Sequence, residues 1–227
     1  HQLVLAAKDG DDARVAELID RGANCDATHA LDYPDGAGRT AVLWAALMGH
    51  LSTFRLLKSK GADLLAAADD GTTPFMATCF DGSIQIAREL KDAGADPDAT
   101  INSGHNAVHV VAQNGHLDIL RVLQGWNVDL NATANDGFNA AHTAAGAGHL
   151  DVLRALRHWN VDLSATTNEG SNAAHLAAGG GHLDTLRALH HWNVDLSATT
   201  LGGFKVVHIA TQNGQLDILR ALRDWNI

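Results

Sequence analysis

One glycine recurs at a fixed spacing of 33 residues (49 to 82, 82 to 115), and this period constrains the fold more than any other feature. Self-similarity at a period of about 20 to 50 residues is typical of chains built from stacked repeats. The series covers the whole chain, with a longer first interval. We therefore predict seven repeats, whose equivalent glycines are Gly10, Gly49, Gly82, Gly115, Gly148, Gly181 and Gly214.

Each repeat contains two apolar segments and a polar stretch. In the fifth repeat these are "NAAHTAAGAG" (139–148), "HLDVLRALRHWN" (149–160) and "VDLSATTNEGS" (161–171). Leu150, Leu153 and Leu156 recur at helical spacing, whereas the polar stretch is typical of a loop or hairpin. We predict a single array over 1–227, with a connection six residues longer than the others within 29–37. The predicted repeats are 1–28, 38–67, 70–100, 103–133, 136–166, 169–199 and 202–227.

Capping side chains occur where the helices are predicted to begin. An Asn or Thr at this position accepts a hydrogen bond from a free backbone N–H. Lys205 cannot do so, and we expect the helix after it to fray. Asp and Arg three residues apart in the second helices predict ion pairs. The predicted caps are Thr40, Thr73, Asn106, Asn139 and Asn172, and the predicted pairs are Asp118–Arg121, Asp151–Arg154, Asp184–Arg187 and Asp217–Arg220.

A Trp-Asn pair closes each of the last four repeats. The asparagines occupy the position of Gly22, Gly61 and Gly94, just after the second helix, where a left-handed backbone is common. We predict that these asparagines end the helices. For the tryptophans two readings stay open, a packed ladder between repeats or an exposed strip that binds a partner. The pairs are Trp126–Asn127, Trp159–Asn160, Trp192–Asn193 and Trp225–Asn226.

The segments "DDGTTPFMATCFDG" (69–82), "NDGFNAAHTAAGAGHLDVLRAL" (135–156) and "KGADLLA" (60–66) resemble the ankyrin-repeat family. The resemblance covers all seven repeats. It implies an all-α solenoid of about seven helix-turn-helix units with hairpin loops. It also implies a concave face of hairpin tips and first helices that holds other proteins, and no common catalytic residues. His109, His142, His175 and His208 are then expected to hydrogen-bond nearby backbone and caps.

The residues themselves give no sign of catalysis. Fourteen histidines are present, but equivalent residues in stacked helices lie about 10 Å apart, too far to share a zinc ion. No G-x-S-x-G motif occurs. We therefore expect no enzyme activity, no metal and no cofactor. Cys25 and Cys79 are not expected to form a disulfide, and Cys79 is expected to be a small buried residue.

Charge and hydropathy limit the partners. A net charge of −10 argues against nucleic acid and favours a protein partner with basic residues. No run of 18 apolar residues occurs, so we expect no membrane insertion. The cysteine usage fits a reducing compartment, and we expect a cytoplasmic monomer.

Function is expected at positions that vary between repeats and point away from the stack. These positions lie just before each cap and just before the glycine of each first helix. In repeats two to five, several side chains at these positions are large. Gly146 and Gly179 occupy one of these positions in repeats five and six, and their lack of a side chain predicts a shallow trough that a helix or strand can approach. In the alternative reading, the apolar members pack beneath the neighbouring hairpin. The candidate partner-binding residues are Tyr33, Arg39, Leu47, Met48, Phe80, Asp81, His105, Gln113 and Phe138.

We therefore interpret the chain as a non-enzymatic module that binds a peptide segment or a folded protein on its concave face. Two alternatives stay open: a regulatory or targeting segment of a larger enzyme or effector, and a structural spacer. The last repeat keeps Leu216, Leu219 and Leu222. Because terminal repeats usually carry a polar outer face, we expect the natural protein to continue beyond at least one end.

Overall fold

The computed structural model describes residues 2–28 and 38–227, and within these ranges the chain forms fourteen α-helices. They occur as seven pairs, which confirms the predicted all-α class for the described residues. The helices are α1 Gln2–Asp9, α2 Asp12–Asp20, α3 Ala41–Leu47, α4 Leu51–Ser59, α5 Pro74–Asp81, α6 Ile84–Asp92, α7 Ala107–Asn114, α8 Leu117–Gly125, α9 Ala140–Ala147, α10 Leu150–His158, α11 Ala173–Gly180, α12 Leu183–His191, α13 Val206–Gln212 and α14 Leu216–Asp224.

The chain divides into an N-terminal body, His1–Asn102, and a C-terminal body, Ser103–Ile227. In the N-terminal body, α3 packs between α1 and α5, and α4 packs between α2 and α6. Its core contains large side chains such as Leu43, Phe54 and Phe75. The single array predicted over 1–227 stays a prediction, and the long connection at 29–37 lies outside the described residues.

The C-terminal body repeats the same arrangement with smaller core residues. The first helices pack in the order α7, α9, α11, α13, and the second helices in the order α8, α10, α12, α14. Alanines such as Ala144 and Ala177 are fully buried between the first helices, while leucines such as Leu153 and Leu186 fill the space beneath the second helices. Alanine lets helices approach closely and is also the best helix former, so the same residue serves both needs.

The predicted caps are confirmed. The hydroxyl of Thr40 accepts a hydrogen bond from Leu43 N at 3.2 Å, and Pro74 begins α5 directly after the cap Thr73. The side chain of Asn139 accepts from His142 N at 3.1 Å. In α13 the position is held by Lys205, which provides no side-chain cap. The fraying expected of that helix stays a prediction.

In repeats four to seven a histidine lies three residues after the cap, and in repeats four and five its Nε2 ties the helix to a hairpin. In repeat five, Nδ1 of His142 accepts from Asn139 N at 3.1 Å, and Nε2 donates to Ala165 O at 2.9 Å. This neutral tautomer satisfies both ring nitrogens. Equivalent Nδ1 contacts occur at His109, His175 and His208, which confirms the role that the resemblance implied. Burial lowers the pKa of His109, His142 and His175, because a charged ring is poorly solvated there.

The Trp-Asn pairs end the second helices as predicted. All four asparagines have a left-handed backbone, with φ of 60° at Asn160. The tryptophans are half-buried. The guanidinium of Arg157 lies 5.2 Å from the centre of the Trp192 ring, and His190 stacks on Trp225 at 4.3 Å. The packed reading therefore holds for these two rings, each of which contacts a side chain of the preceding repeat.

Three of the four predicted Asp–Arg pairs form. Their N–O distances are 3.2 Å for Arg121–Asp118, 3.0 Å for Arg187–Asp184 and 2.9 Å for Arg220–Asp217. The fourth differs, because Asp151 accepts a hydrogen bond from Val152 N at 2.9 Å. Arg154 consequently has no ion pair within the described part of the chain.

Candidate functional site

Two large apolar side chains of the N-terminal body are exposed at the ends of neighbouring helices. Met48 directly follows α3 and is 43% exposed, and Phe80 lies in the last turn of α5 and is 46% exposed. The two helices pack against each other. Their other large apolar side chains are buried, apart from the half-buried Leu47. Met48 and Phe80 therefore each present close to half of their surface to solvent. The alternative in which these side chains pack beneath the neighbouring hairpin stays open.

Asp81 joins the two helix ends. Its carboxylate lies so close to Gly49 that a Cβ on this glycine would collide with it, and Gly49 also has a left-handed backbone with φ of 69°. One carboxylate oxygen accepts a hydrogen bond from the Ser83 hydroxyl. Asp81 is exposed and has no basic partner among the described residues. An anionic group therefore stands beside Met48 and faces solvent.

Arg39 is less accessible to a binding partner than the sequence suggested. Its side chain is only 17% exposed and lies 3.8 Å from the carboxylate of Asp70. The guanidinium also lies 5.4 Å from the ring centre of the buried Trp44, and Lys8 Nζ approaches the same ring at 4.9 Å. Cations over an indole are attracted by its negative face. These contacts fix Arg39 in place and leave it part-buried.

Three further candidates lie in the C-terminal body. The His105 ring is 5.0 Å from His109, edge-on, and the Phe138 ring is 5.7 Å from His142. Both side chains are half-buried. Gln113 is exposed, and its backbone oxygen accepts a hydrogen bond from His149. The remaining candidate, Tyr33, lies outside the described residues.

The sequence analysis did not predict a pocket of the C-terminal body that has both polar and apolar lining residues. Leu201 is 83% exposed and lines a pocket of about 520 Å³ together with Phe204, Ile209 and Glu169. A sequence signal for it existed, since Leu201 occupies the hairpin position held by Asn135 and Asn168 in the two preceding repeats. An apolar side chain at a hairpin tip has no folding role comparable to that of a turn-forming asparagine.

Among the described residues we find neither a cluster of metal ligands nor a thiol with a lowered pKa. Within 2–28 and 38–227, no three His, Cys, Asp or Glu side chains come together as metal ligands. Burial raises the pKa of Cys79 to about 12, which keeps the thiol protonated and unreactive. In the same ranges, every helix is too short or too polar to cross a bilayer.

Helix pairs of nearly constant length that recur every 33 residues from the second repeat onward and are joined by hairpins define a class of stacked helical repeat. Family models for ankyrin repeats match the chain, one described as three copies at residues 3–101 and 75–167, the other as many copies at 174–223. The chain belongs to the ankyrin-repeat family, whose fold is a non-catalytic one that binds other proteins.

Among solved structures, the chain is similar to the crystal structure of the human ASB11 ankyrin repeat domain. The TM-score is 0.78 over 97% of each chain, with 19% sequence identity. At this identity the likeness concerns the fold. No match to a curated protein was found.

Proposed function

We propose that this chain is a non-enzymatic protein-binding module whose partner docks on the N-terminal body, at the ends of α3 and α5. The observation that carries this proposal is the exposure of Met48 and Phe80 on two helices whose other large apolar side chains are buried or half-buried. Complete burial of a fully exposed large apolar side chain contributes about 1.5–3 kcal/mol. Met48 and Phe80 are each a little less than half exposed, so covering both contributes about 1.5–3 kcal/mol together, a modest part of the roughly 8 kcal/mol of a micromolar affinity. We name Leu47, Met48, Phe80 and Asp81 the helix-end patch.

Charge selects the kind of partner. The Asp81 carboxylate stands beside Met48 without a basic partner in the described ranges, and the chain as a whole carries a net charge of −10. A Lys or Arg on the partner would find an acceptor there, and the negative field would speed its approach. We therefore propose a protein segment in which a large apolar residue is flanked by Lys or Arg.

The other candidates have supporting roles in this proposal. Arg39 is held against Asp70 and Trp44, so it shapes the edge of the surface and contributes little new contact. Tyr33 would extend the surface from the long connection. His105, Gln113 and Phe138 would serve a separate contact within the C-terminal body. Because the first helices are packed and capped, the patch loses little conformational entropy when a partner binds.

Selection from a displayed library of random peptides on the immobilised protein tests this proposal. We expect enriched peptides to carry a large apolar residue beside Lys or Arg. The same selection on a Met48→Ser, Phe80→Ser double variant should lose this enrichment. A Leu65→Ser variant is the matched control, because Leu65 is 45% exposed but lies in the loop after α4. Equal enrichment on the double variant and the wild type would show that the partner binds elsewhere.

A further inference from the structure

A groove between two second helices of the C-terminal body brings two arginines and a histidine together on an otherwise acidic chain. It lies between α10 and α12 and has a volume of about 460 Å³. Arg154 comes from α10, and Arg187 and His191 come from α12. The chain carries a net charge of −10, so a cationic groove on it is not explained by composition. The side chains that line it include Leu150, Arg154, Asp184, Arg187, His191 and Trp192.

The two arginines differ in how they are neutralised. Arg187 pairs with Asp184 at 3.0 Å, as the equivalent arginines do in α8 and α14. Arg154 has no such partner in the described ranges, since Asp151 is turned toward the backbone N–H of Val152. A guanidinium without a carboxylate therefore lines the groove. Arg157 adds a further cation at the edge, where it covers the Trp192 ring at 5.2 Å.

Apolar surface lies beside these charges. Leu150, Ala188 and Trp192 line the same groove and are half-buried, so part of each side chain faces the opening. A ligand that fills the groove would pair with guanidinium groups and cover an indole and a leucine. Carboxylates bind arginine in a two-pronged geometry, and aromatic side chains supply large contact areas in recognition sites.

We propose that this groove binds an acidic segment of a protein, with a carboxylate on Arg154 and an adjacent apolar side chain against Leu150 and Trp192. The site differs from the helix-end patch in body, charge and partner, so it is independent of the function proposed above. Nucleic acid is a poorer fit, because Asp184 lines the groove and the whole chain repels a polyanion. A segment with one or two carboxylates meets the unpaired guanidinium at a much smaller repulsive cost, because it carries fewer negative charges.

Fluorescence anisotropy with a labelled synthetic peptide tests the site. The probe contains glutamates around two leucines, and its counterpart carries lysine in place of each glutamate. We expect saturable binding of the acidic probe alone, weakened about tenfold or more by Arg154→Glu, as for loss and reversal of one close charge pair. The matched control is Arg220→Glu, which makes the same charge change at the equivalent position of α14. It should weaken binding by less than about threefold, the scale of a screened distant charge.

Several results would overturn the proposal. They are no binding of the acidic probe, equal loss in the Arg154 and Arg220 variants, and binding to phosphatidylserine vesicles without binding to the peptide. Circular dichroism melts establish that both variants remain folded, which is expected because both arginines are exposed. The Met48→Ser, Phe80→Ser variant should bind the acidic probe as the wild type does. This measurement shows whether the groove binds its peptide independently of the helix-end patch, so that either proposal can fail without the other.

Discussion

The imidazole of His149 reaches back to the preceding repeat, where its Nε2 donates a hydrogen bond to Gln113 O at 3.0 Å. Its ring covers Gly115 so closely that a Cβ there would lie 2.5 Å from Nδ1. His50 and His182 make the same kind of contact, with Lys8 O and Gly146 O. The helix-start histidine and the glycine one repeat earlier are therefore a matched pair that fixes the distance between neighbouring repeats within each body.

Removing this link should destabilise the stack. We expect His149→Ala to lower the free energy of unfolding by about 1 kcal/mol, the usual net value of one hydrogen bond. His149→Gln should lose less, because Gln215 occupies the equivalent position in the last repeat and its amide covers Gly181. Urea denaturation of the three proteins measures this difference. Equal stability of His149→Ala and the wild type would show that the contact contributes nothing.

The asparagines that end the second helices give a second test. Asn160 has φ of 60°, where a residue with an ordinary Cβ is strained. We expect Asn160→Ala to cost about 1–2 kcal/mol, whereas Asn160→Gly should be neutral or slightly stabilising. Thermal unfolding followed by circular dichroism compares the two. Equal stability of the alanine and glycine variants would show that the left-handed backbone at position 160 puts no strain on a residue with an ordinary Cβ.

Stability should fall as the pH is lowered through the histidine range. Burial lowers the folded pKa of His109, His142 and His175 from the ordinary value of 6.5. The unfolded state therefore binds more protons once the pH falls below about 6.5, and acid favours unfolding. Above about pH 7.5 this contribution is complete and constant.

Calorimetry between pH 7.5 and 5.5 measures the effect, with His142→Gln as the comparison. The variant should start less stable at pH 7.5, because the link to Ala165 O is weakened, but should lose less stability on acidification. A melting temperature that stays constant or rises over this range in the wild type contradicts the assignment of these histidines as neutral.

The two cysteines should differ sharply in reactivity. Cys79 is fully buried, and its pKa is raised to about 12 by that burial. Cys25 is half-buried, and burial together with Asp26 raises its pKa less strongly. An aromatic disulfide reagent at pH 8 should modify one thiol per native chain and two in denaturant. A Cys25→Ser variant should show none until it unfolds. Rapid modification of both thiols in the native protein would contradict the packing of α5.

The repeat period, the caps and the closing asparagines were predictable because each depends on a few neighbouring residues. Asn160 and Thr40 need only the local backbone to act as they do. The binding surfaces were not predictable in the same way, because the exposure of a side chain depends on residues that are distant in the sequence. Leu47 and Phe80 occupy equivalent positions, yet one is half-buried and the other exposed, because this depends on the adjoining helices. Arg39 looked like a free hot spot in the sequence, but its partner Trp44 is buried beneath it.

The groove between α10 and α12 had an even weaker sequence signal. The segments around Arg121, Arg154, Arg187 and Arg220 all follow the same Asp-x-x-Arg spacing. Only the structure distinguishes Arg154, through the hydrogen bond that turns Asp151 away. Side-chain choices of this kind are decided by energies near those of a single exposed ion pair, about 0.2–1 kcal/mol, and no residue pattern encodes them.

The two methionines provide the most direct test of the helix-end patch. Met48 is exposed beside Asp81, whereas Met76 is buried within α5, and the sequence contains no other methionine. A protein with isotope-labelled methionine methyl groups therefore gives one reporter at the patch and one in the core. On titration with a selected apolar and basic peptide, we predict a saturable shift of the Met48 signal and a nearly constant Met76 signal. Saturable binding that leaves the Met48 signal unchanged would contradict the proposed function.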